Sequence, residues 1–568
     1  METKTCRQCN SNFTVTDDDL RFYEKISPEF TGKKYSIPSP SLCPSCRLCR
    51  RLSWRNERTL YNRKCDKSGQ NIVSIFPTNS PFPVYSMSEW FKDDWDAKDF
   101  GQDYDFNHLF FDQFHELQKK VPRIALINVN NENSNYINCA AENKDSYLSF
   151  DIGKCEKVLY SRTIYNGTEI VDCMYCNDHC SNLYECIGCN NASSSRYCYN
   201  CADINNCFYC YKLIGCRDCL FSSNLINKQY CINNIQYSKT EYEEKIKNYN
   251  FGAYAESKKY LNLFLDIYQR AIHPWAYNYN CENCSGDYLK NCKNTHNSFG
   301  AMNCENCKYM VGSPGGKDSY DDCFSGYEPA ELNIESIGCE NPYHCLFIYS
   351  CWGGCRDLIY GDFCQNSKDC FGCVGLKKDQ YCILNKQYTK EQYEQLVPKI
   401  IKQMKQAGEW GEFFPTSISP FAYNETIAND YFPLSQNEIN QINGRYLEIK
   451  ETLTSSNYPI PDNIKEVNEN ICQQVLECEI TKRPYKVQPQ ELIFYIKQNI
   501  PIPRRHPDQR FRDRLALTNP WQLFTRQCSC QEPNHDHPGC CPVEFQTTYA
   551  PDRQEKVYCE ECYQKSII

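Results

Sequence analysis

Residues 184–231 read YECIGCNNASSSRYCYNCADINNCFYCYKLIGCRDCLFSSNLINKQYC, and cysteine recurs there on two beats. The short beat is Cys-x-x-Cys, at Cys186/Cys189, Cys198/Cys201, Cys207/Cys210 and Cys216/Cys219. On the long beat, Cys180 and Cys201 are 21 apart, as are Cys189 and Cys210, while Cys198–Cys216 and Cys201–Cys219 are 18 apart. A repeat of about 20 residues is the length of one solenoid coil, which stacks its buried face on the next. The stretch therefore reads as a cysteine-lined solenoid.

Cysteine usage sets the expected compartment. The chain has 568 residues, 42 of them Cys and only 6 Met. Its start, METKTCRQCN, carries no apolar leader, and no long apolar run appears anywhere. A cytoplasmic location is expected, with no membrane association. Thiols stay reduced there, and cysteine clusters are more often metal ligands than disulfides. The rival reading is a disulfide-rich protein exported by a non-standard route. The net charge of −9 argues against bulk nucleic-acid binding, although basic residues crowd 47–64 and 504–526.

Residues 1–86 open with Cys6-x-x-Cys9. Thr16 before Asp17, Asp18 and Asp19 predicts a capped helix, with Leu20, Phe22 and Tyr23 turned inward. Cys43-Pro-Ser-Cys46 supplies a second pair about 35 residues later. Two such pairs match a four-thiolate zinc site, because each pair spans one edge of a tetrahedron. Zinc is expected at Cys6, Cys9, Cys43 and Cys46, in a structural role. Cys49 and Cys65 are left over, as core thiols or replacement ligands. The following run, RLCRRLSWRNERTLYNRKC, combines Arg47, Arg50, Arg51, Arg55, Arg58 and Arg63 with Trp54 and Tyr61. Guanidinium groups pair with phosphate and aromatic rings stack on bases, so this is the strongest nucleic-acid signal. The competing reading pairs these arginines with the acidic stretch that follows.

Residues 87–125 are aromatic and acidic. Phe106, Leu109, Phe110, Phe114 and Leu117 fit one helix face that Pro122 ends. The segment is placed to cover the first coil of a solenoid. Residues 126–275 form the first cysteine-rich block with an exit helix, and residues 276–403 repeat it, with 14 Cys in each block. Glu185-Cys-Ile-Gly-Cys189 matches Glu335-Ser-Ile-Gly-Cys339, and Gln229-Tyr-Cys-Ile232 matches Gln380-Tyr-Cys-Ile383. Even the helix caps repeat: Ser238 with Glu241, and Thr389 with Gln392, form capping boxes inside tyrosine staples. Agreement at that level marks a tandem duplication.

Residues 404–475 read as helical and loop-rich, without a functional signal. Residues 476–568 return to the opening pattern. At an offset of 463, Arg47, Arg51, Leu52, Arg63 and Cys65 recur as Arg510, Arg514, Leu515, Arg526 and Cys528. The ligands do not follow, since Cys43 becomes His506 and Cys46 becomes Gln509. This copy instead offers Cys528, Cys530, Cys559 and Cys562 as a second zinc site. Its insert HDHPGCC adds His535, His537, Cys540 and Cys541 as alternatives or as a further site.

The phrases CPSCRLCRRLSWRNERTLYNRKCD, DFNHLFFDQFHELQKKVPR, IPRRHPDQRFRDRL and TTYAPDRQEKVYCEECY resemble a large group of uncharacterised cysteine-rich proteins of candidate-phyla bacteria with small genomes. The resemblance implies zinc-ribbon and solenoid architecture and a bacterial cytoplasmic origin. It implies no activity and transfers no functional residue.

Three roles compete for the central cysteines. They pack as small buried residues; or pairs on adjacent coils meet as zinc sites, Cys186 and Cys189 with Cys207 and Cys210, and Cys198 and Cys201 with Cys216 and Cys219; or they carry iron–sulfur or thiol–disulfide chemistry. No glycine-rich phosphate loop, Gly-x-Ser-x-Gly or His-Glu-x-x-His appears, and no small-molecule substrate is identified. The expected fold is mostly β with helices: two tandem right-handed β-solenoid-like blocks flanked by duplicated treble-clef or zinc-ribbon-like modules. The expected function is a non-enzymatic multi-zinc scaffold for a macromolecule. RNA or a ribonucleoprotein is favoured, through Arg47, Arg50, Arg51, Arg55, Arg58, Arg510 and Arg514. The alternatives are a protein–protein scaffold with structural zinc, and zinc storage or thiol redox buffering.

Overall fold

Every third residue of the cysteine-rich stretch turns the backbone into the left-handed region. Asn200, Asp203, Asn206, Tyr209 and Lys212 have φ between 53° and 55°. Such a residue breaks an extended chain into three-residue sides, and four sides close one coil. The computed structural model, which describes residues 1–326, 329–448 and 458–567, shows the closure in its strand registers. Asn138 pairs with Phe150, Phe150 with Arg162 and Arg162 with Met174, all in parallel and all twelve residues apart. Cys207, Cys219 and Cys231 follow the same step. The regular coil therefore has twelve residues and not about 20, and a few coils are longer, as from Thr168 to Ser181 and from Tyr320 to Ile334. The spacings of 18 and 21 in the sequence are six and seven sides.

The residue after each left-handed corner points inward. Cys198, Cys201, Ile204, Cys207, Cys210, Leu213, Cys216 and Cys219 are all buried, three apart. A left-handed corner costs an L-residue roughly 1–2 kcal/mol, least for Asn and Asp. Asn166, Asp172, Asn182, Asn200 and Asn206 occupy such corners, which explains the asparagine-rich composition.

The second solenoid repeats the design. Gly286 pairs with Ser298, Ile334 with Leu346 and Arg356 with Lys368. Both solenoids end in the same device. The last strand reverses into a short antiparallel partner, Gln229–Ile232 with Ile235–Gln236 and Cys382–Ile383 with Lys386–Gln387. The turns use two consecutive left-handed residues, Asn233-Asn234 and Leu384-Asn385. This reversal removes the open parallel edge that would invite further pairing. A helix follows each reversal, Lys239–Ile246 and Lys390–Ala407, and each begins with the predicted capping box. After the first, a separate helix, Tyr254–Arg270, packs Phe264 and Tyr268 onto Tyr199 and Tyr211.

The end modules cross over. Residues 1–86 pack on the second solenoid, where Phe22 stacks on Tyr320 at 3.8 Å and Trp54 meets Tyr349 edge-on at 5.6 Å. The predicted first helix, Asp17–Ile26, has its Thr16 capping box, but Leu20 faces solvent. Residues 476–568 pack on the first solenoid, where Tyr184 meets Phe494 and Tyr495. The aromatic segment 87–125 does not cover the first coil of the first solenoid. Its helix, Phe110–Lys120, lies against Tyr360 and Phe371 of the second, and Arg123 pairs with the buried Asp362. Phe106 and Leu109 precede that helix and stay exposed. Trp410, Phe413, Phe414 and Phe421, in the stretch 404–475 read as helical and loop-rich, join the same core. Where the solenoids meet, Tyr288 donates to Asn200 at 3.1 Å.

Candidate metal centres

The first module brings its four predicted cysteines together. Cys6 and Cys9 lie in the turn of the hairpin that joins Glu2–Thr5 to Asn12–Val15, with the Asn10 amide returning to the Cys6 carbonyl at 3.0 Å. Cys43 caps the helix Pro44–Leu52, and Cys46 sits in its first turn. The four sulfur atoms lie within 4.8 Å of one another, and Cys9 and Cys43 are 3.7 Å apart. Thiolates about 2.3 Å from a tetrahedral metal sit about 3.8 Å from each other, so this tetrad can hold one ion. The Cys46 thiol donates to Cys43, which holds Cys43 down to about 6 and pushes Cys46 up. One thiol of the pair is thus already disposed to ionise, as a metal ligand must.

The last module gathers a different set of side chains from the expected one. Cys528, Cys559 and Cys562 are joined by Cys541, and not by Cys530, in the second tetrad. Cys530 turns to a neighbouring group with His535, His537 and Cys562. The sequence signal for Cys541 was the insert itself, which brings it back beside Cys528.

Each module retains the frame of the site it lacks. The Cys559 amide donates to Cys528 Sγ at 3.2 Å, and the Ser86 amide donates to Cys65 Sγ at 3.3 Å in the same relation. Cys6-x-x-Cys9 corresponds to Cys478-x-x-Thr481, where the Thr481 amide still approaches Cys478 Sγ at 3.4 Å. The two modules are copies with two ligand positions, of which each has kept a different one. Cys49 is a core thiol 3.1 Å from the Tyr423 hydroxyl.

The central cysteines do not form the expected tetrads. With twelve-residue coils, Cys186 stacks under Cys198 and then Cys210, while Cys189 stacks under Cys201. Cys207 lies in another row, with Cys219 and Cys231. Cys186, Cys189, Cys207 and Cys210 are therefore not gathered, nor are Cys198, Cys201, Cys216 and Cys219. Among the described residues, metal-binding groups occur only in the end modules.

Packing explains these positions. Many inward thiols donate to the carbonyl nine residues ahead, on the next coil: Cys189 to Cys198 at 3.1 Å, Cys198 to Cys207 at 3.2 Å, Cys364 to Cys373 at 3.4 Å. Ser149 makes the same bond to Val158, and Asn143 to Ile152. The same carbonyls also accept a backbone amide, Ile187 on Cys198 and Tyr147 on Val158, so the inward donor takes the second lone pair. Burial pushes Cys155 and Cys323 up to about 11, so these remain thiols at neutral pH. Where thiols touch, the pattern is mixed. Burial raises Cys176, but hydrogen bonds from Cys173 and Cys189 outweigh it and hold Cys176 down to about 6.

The arginines expected to meet nucleic acid are turned inward. Arg47 and Arg51 both reach Asp321 at 3.0 Å, and Arg50 and Arg51 reach Glu335 at 3.0 and 3.1 Å. Arg510 reaches Asp172 at 2.7 Å, while Arg514 reaches Asp172 at 2.9 Å and Glu185 at 3.1 Å. Arg55 pairs with Glu57 at 2.5 Å, and Arg58 lies 3.3 Å over the Phe511 ring. Trp54 is fully buried. The expected partners in the acidic stretch 87–125 are not the ones used. The sequence marked a cluster of charge and rings, but a buried ion-pair network has the same composition as a nucleic-acid surface.

No family description matches the chain, and no curated protein does. Five solved chains match it, among them a putative acetyltransferase from Desulfovibrio desulfuricans G20. That match has 11% identity, a TM-score of 0.10, and covers 39% of this chain and 64% of the other, just under two thirds of its length. A likeness of that size carries no argument about fold or function.

Proposed function

We propose that this protein is a non-enzymatic scaffold, held at both ends by structural zinc, that takes a protein partner on the outer walls of its solenoids. Inward-facing thiols, closed tetrads and buried arginines each have a structural role in holding the coils, the modules and the crossed halves together. The observation that carries the reading is the burial of Arg47, Arg51, Arg510 and Arg514 on solenoid carboxylates. It takes away the surface on which an RNA reading relied. Zinc is the metal of choice for closed shells of four thiolates. No helix among the described residues is long and apolar enough to cross a membrane. The reading places the protein in a bacterial cytoplasm, where the thiols stay reduced.

The test is purification from cytoplasmic extract without chelator. The expected product has an absorbance ratio free of nucleic acid, bound zinc, and a partner protein whose retention is insensitive to salt. Co-purifying RNA that salt releases overturns the choice of partner. Zinc far above the capacity of the end modules turns the reading toward storage.

A further inference from the structure

Of the two copies of the zinc module, only the last has a long hairpin loop. In the first copy the strands Tyr61–Lys64 and Asn71–Ser74 are joined by a short turn, closed by the Cys65 amide on the Gln70 carbonyl at 2.8 Å. In the last copy Phe524–Gln527 and Glu544–Thr547 are joined by a longer loop, closed by the Cys528 amide on the Val543 carbonyl at 2.9 Å. The added residues contain His535, His537, Cys540 and Cys541.

Two ligand sets converge in this loop and share one atom. Cys562 belongs with Cys528, Cys541 and Cys559, and equally with Cys530, His535 and His537. His535 Nδ1 is 3.1 Å from Cys530 Sγ, and His537 Nε2 is 3.4 Å from Cys562 Sγ. His537 also directs Nδ1 to the Gly539 carbonyl at 2.8 Å. That bond takes the ring proton on Nδ1 and leaves Nε2 bare toward Cys562. A histidine that ligates a metal shows this arrangement, with its second nitrogen held by a carbonyl. The Cys541 amide on the Cys530 carbonyl at 3.0 Å ties the two sets together.

We propose that the C-terminal module holds two zinc ions bridged by the Cys562 thiolate. One ion takes Cys528, Cys541, Cys559 and Cys562, and the other takes Cys530, His535, His537 and Cys562. Each ion then has four ligands, as a closed structural zinc site requires. Charge favours the sharing. Four thiolates leave a single divalent ion with two uncompensated negative charges, while the second ion, one further thiolate and two neutral imidazoles reduce the cluster to one. Cys562 suits the bridge because it lies in the first turn of the helix Glu560–Ile567, where the dipole favours a thiolate. The inference rests on the structural-zinc reading above and extends it from one ion to two in this module.

The test is elemental analysis of the full chain purified without chelator, together with X-ray absorption at the zinc edge. Three zinc ions per chain are expected, one N-terminal and two bridged. His537→Ala and Cys530→Ser each lower the count from three to two and abolish the zinc–zinc signal. That signal lies below about 4.6 Å, since each ion is about 2.3 Å from the shared sulfur. Cys43→Ser also lowers the count to two but keeps the zinc–zinc signal. A wild-type chain with two zinc ions, no zinc–zinc signal and no response to His537→Ala overturns the bridge while leaving structural zinc in place. A chain with no zinc in either module overturns the structural-zinc reading instead.

Discussion

Arg514 meets Asp172 at 2.9 Å in the first solenoid, as Arg51 meets Asp321 at 3.0 Å in the second. The two pairs are copies of one contact, and each is made by the module at the far end of the chain. The likeness extends to the rings, since Arg510 lies 4.6 Å over Tyr160 and Arg47 lies 5.0 Å over Tyr309. The duplication preserved a complete interface, including its buried charges.

Asp172→Ala leaves Arg510 with Glu491 alone, at 3.3 Å, and Arg514 with Glu185 alone. Losing one side of a buried pair typically costs about 3–5 kcal/mol. Asp321→Ala is expected to cost a similar amount, because Arg47 loses its ion pair and Arg51 is left with Glu335 alone. Chemical denaturation of each variant checks this, and a loss below about 1 kcal/mol in both contradicts the pairing.

The crossed packing predicts complementation. Fragments 1–275 and 276–568 each carry one solenoid and the module that covers the other fragment's solenoid. Each alone is expected to be aggregation-prone or poorly folded, because Asp321 and Glu335, or Asp172 and Glu185, lack their arginines. Co-expression is expected to give a stoichiometric complex by size-exclusion chromatography. Two independently well-folded monomers contradict the crossing.

Glu185 sets a pH dependence. Burial pushes its carboxyl up to about 7, against the pull of Arg514. An unfolded glutamate ionises near 4.5, so between there and about 7 the folded chain binds the extra proton. Stability from this group therefore falls as pH rises through that window, by at most about 1.4 kcal/mol per pH unit, and is flat above it. Asp321 has the opposite sign. Burial alone would raise it, but Arg47 and Arg51 hold it below the usual carboxylate value, so its contribution is lost as pH falls through the acid range. Glu185→Gln is expected to flatten the profile between about 4.5 and 7, read by denaturation midpoints across pH, and to leave the acid limb unchanged. An unchanged slope contradicts the assignment.

Thiol reactivity separates packing from ligation. Cys540 is exposed and belongs to no metal group, so it is expected to alkylate first in the native protein. Cys9 is also exposed but belongs to the first tetrad, so with zinc bound it is expected to react only after chelation. Cys198 and Cys210 are expected to stay protected in both conditions. Mass-spectrometric mapping of the labelled peptides decides, and early labelling of Cys198 contradicts a closed solenoid.

Cys198→Ser tests the reason for cysteine at an inward position. The hydroxyl can donate to the Cys207 carbonyl as Ser149 does to Val158, so a loss of less than about 1.5 kcal/mol is expected. Cys198→Leu overfills the coil and is expected to cost about 1–3 kcal/mol. Equal midpoints for the two variants contradict the tight coil.

The sequence by itself determined what local spacing can encode. Cys6, Cys9, Cys43 and Cys46 were legible because two Cys-x-x-Cys pairs suffice to describe a tetrahedron. The capping boxes at Ser238 and Thr389 were legible because they act within four residues. Inward cysteines were legible as a beat of three, but the coil length was not. Any multiple of three fits that beat, and only the closing of four sides makes Cys198 stack under Cys210. The role of Cys541 was hidden for a related reason, since a loop decides which sulfur returns to Cys528. The arginines show the largest gap. Arg47 and Arg514 carry the same chemistry toward a phosphate as toward a buried carboxylate, and sequence spacing does not say which is near. Tertiary structure decided it, because the modules cross and bring Asp321 and Asp172 to arginines hundreds of residues away.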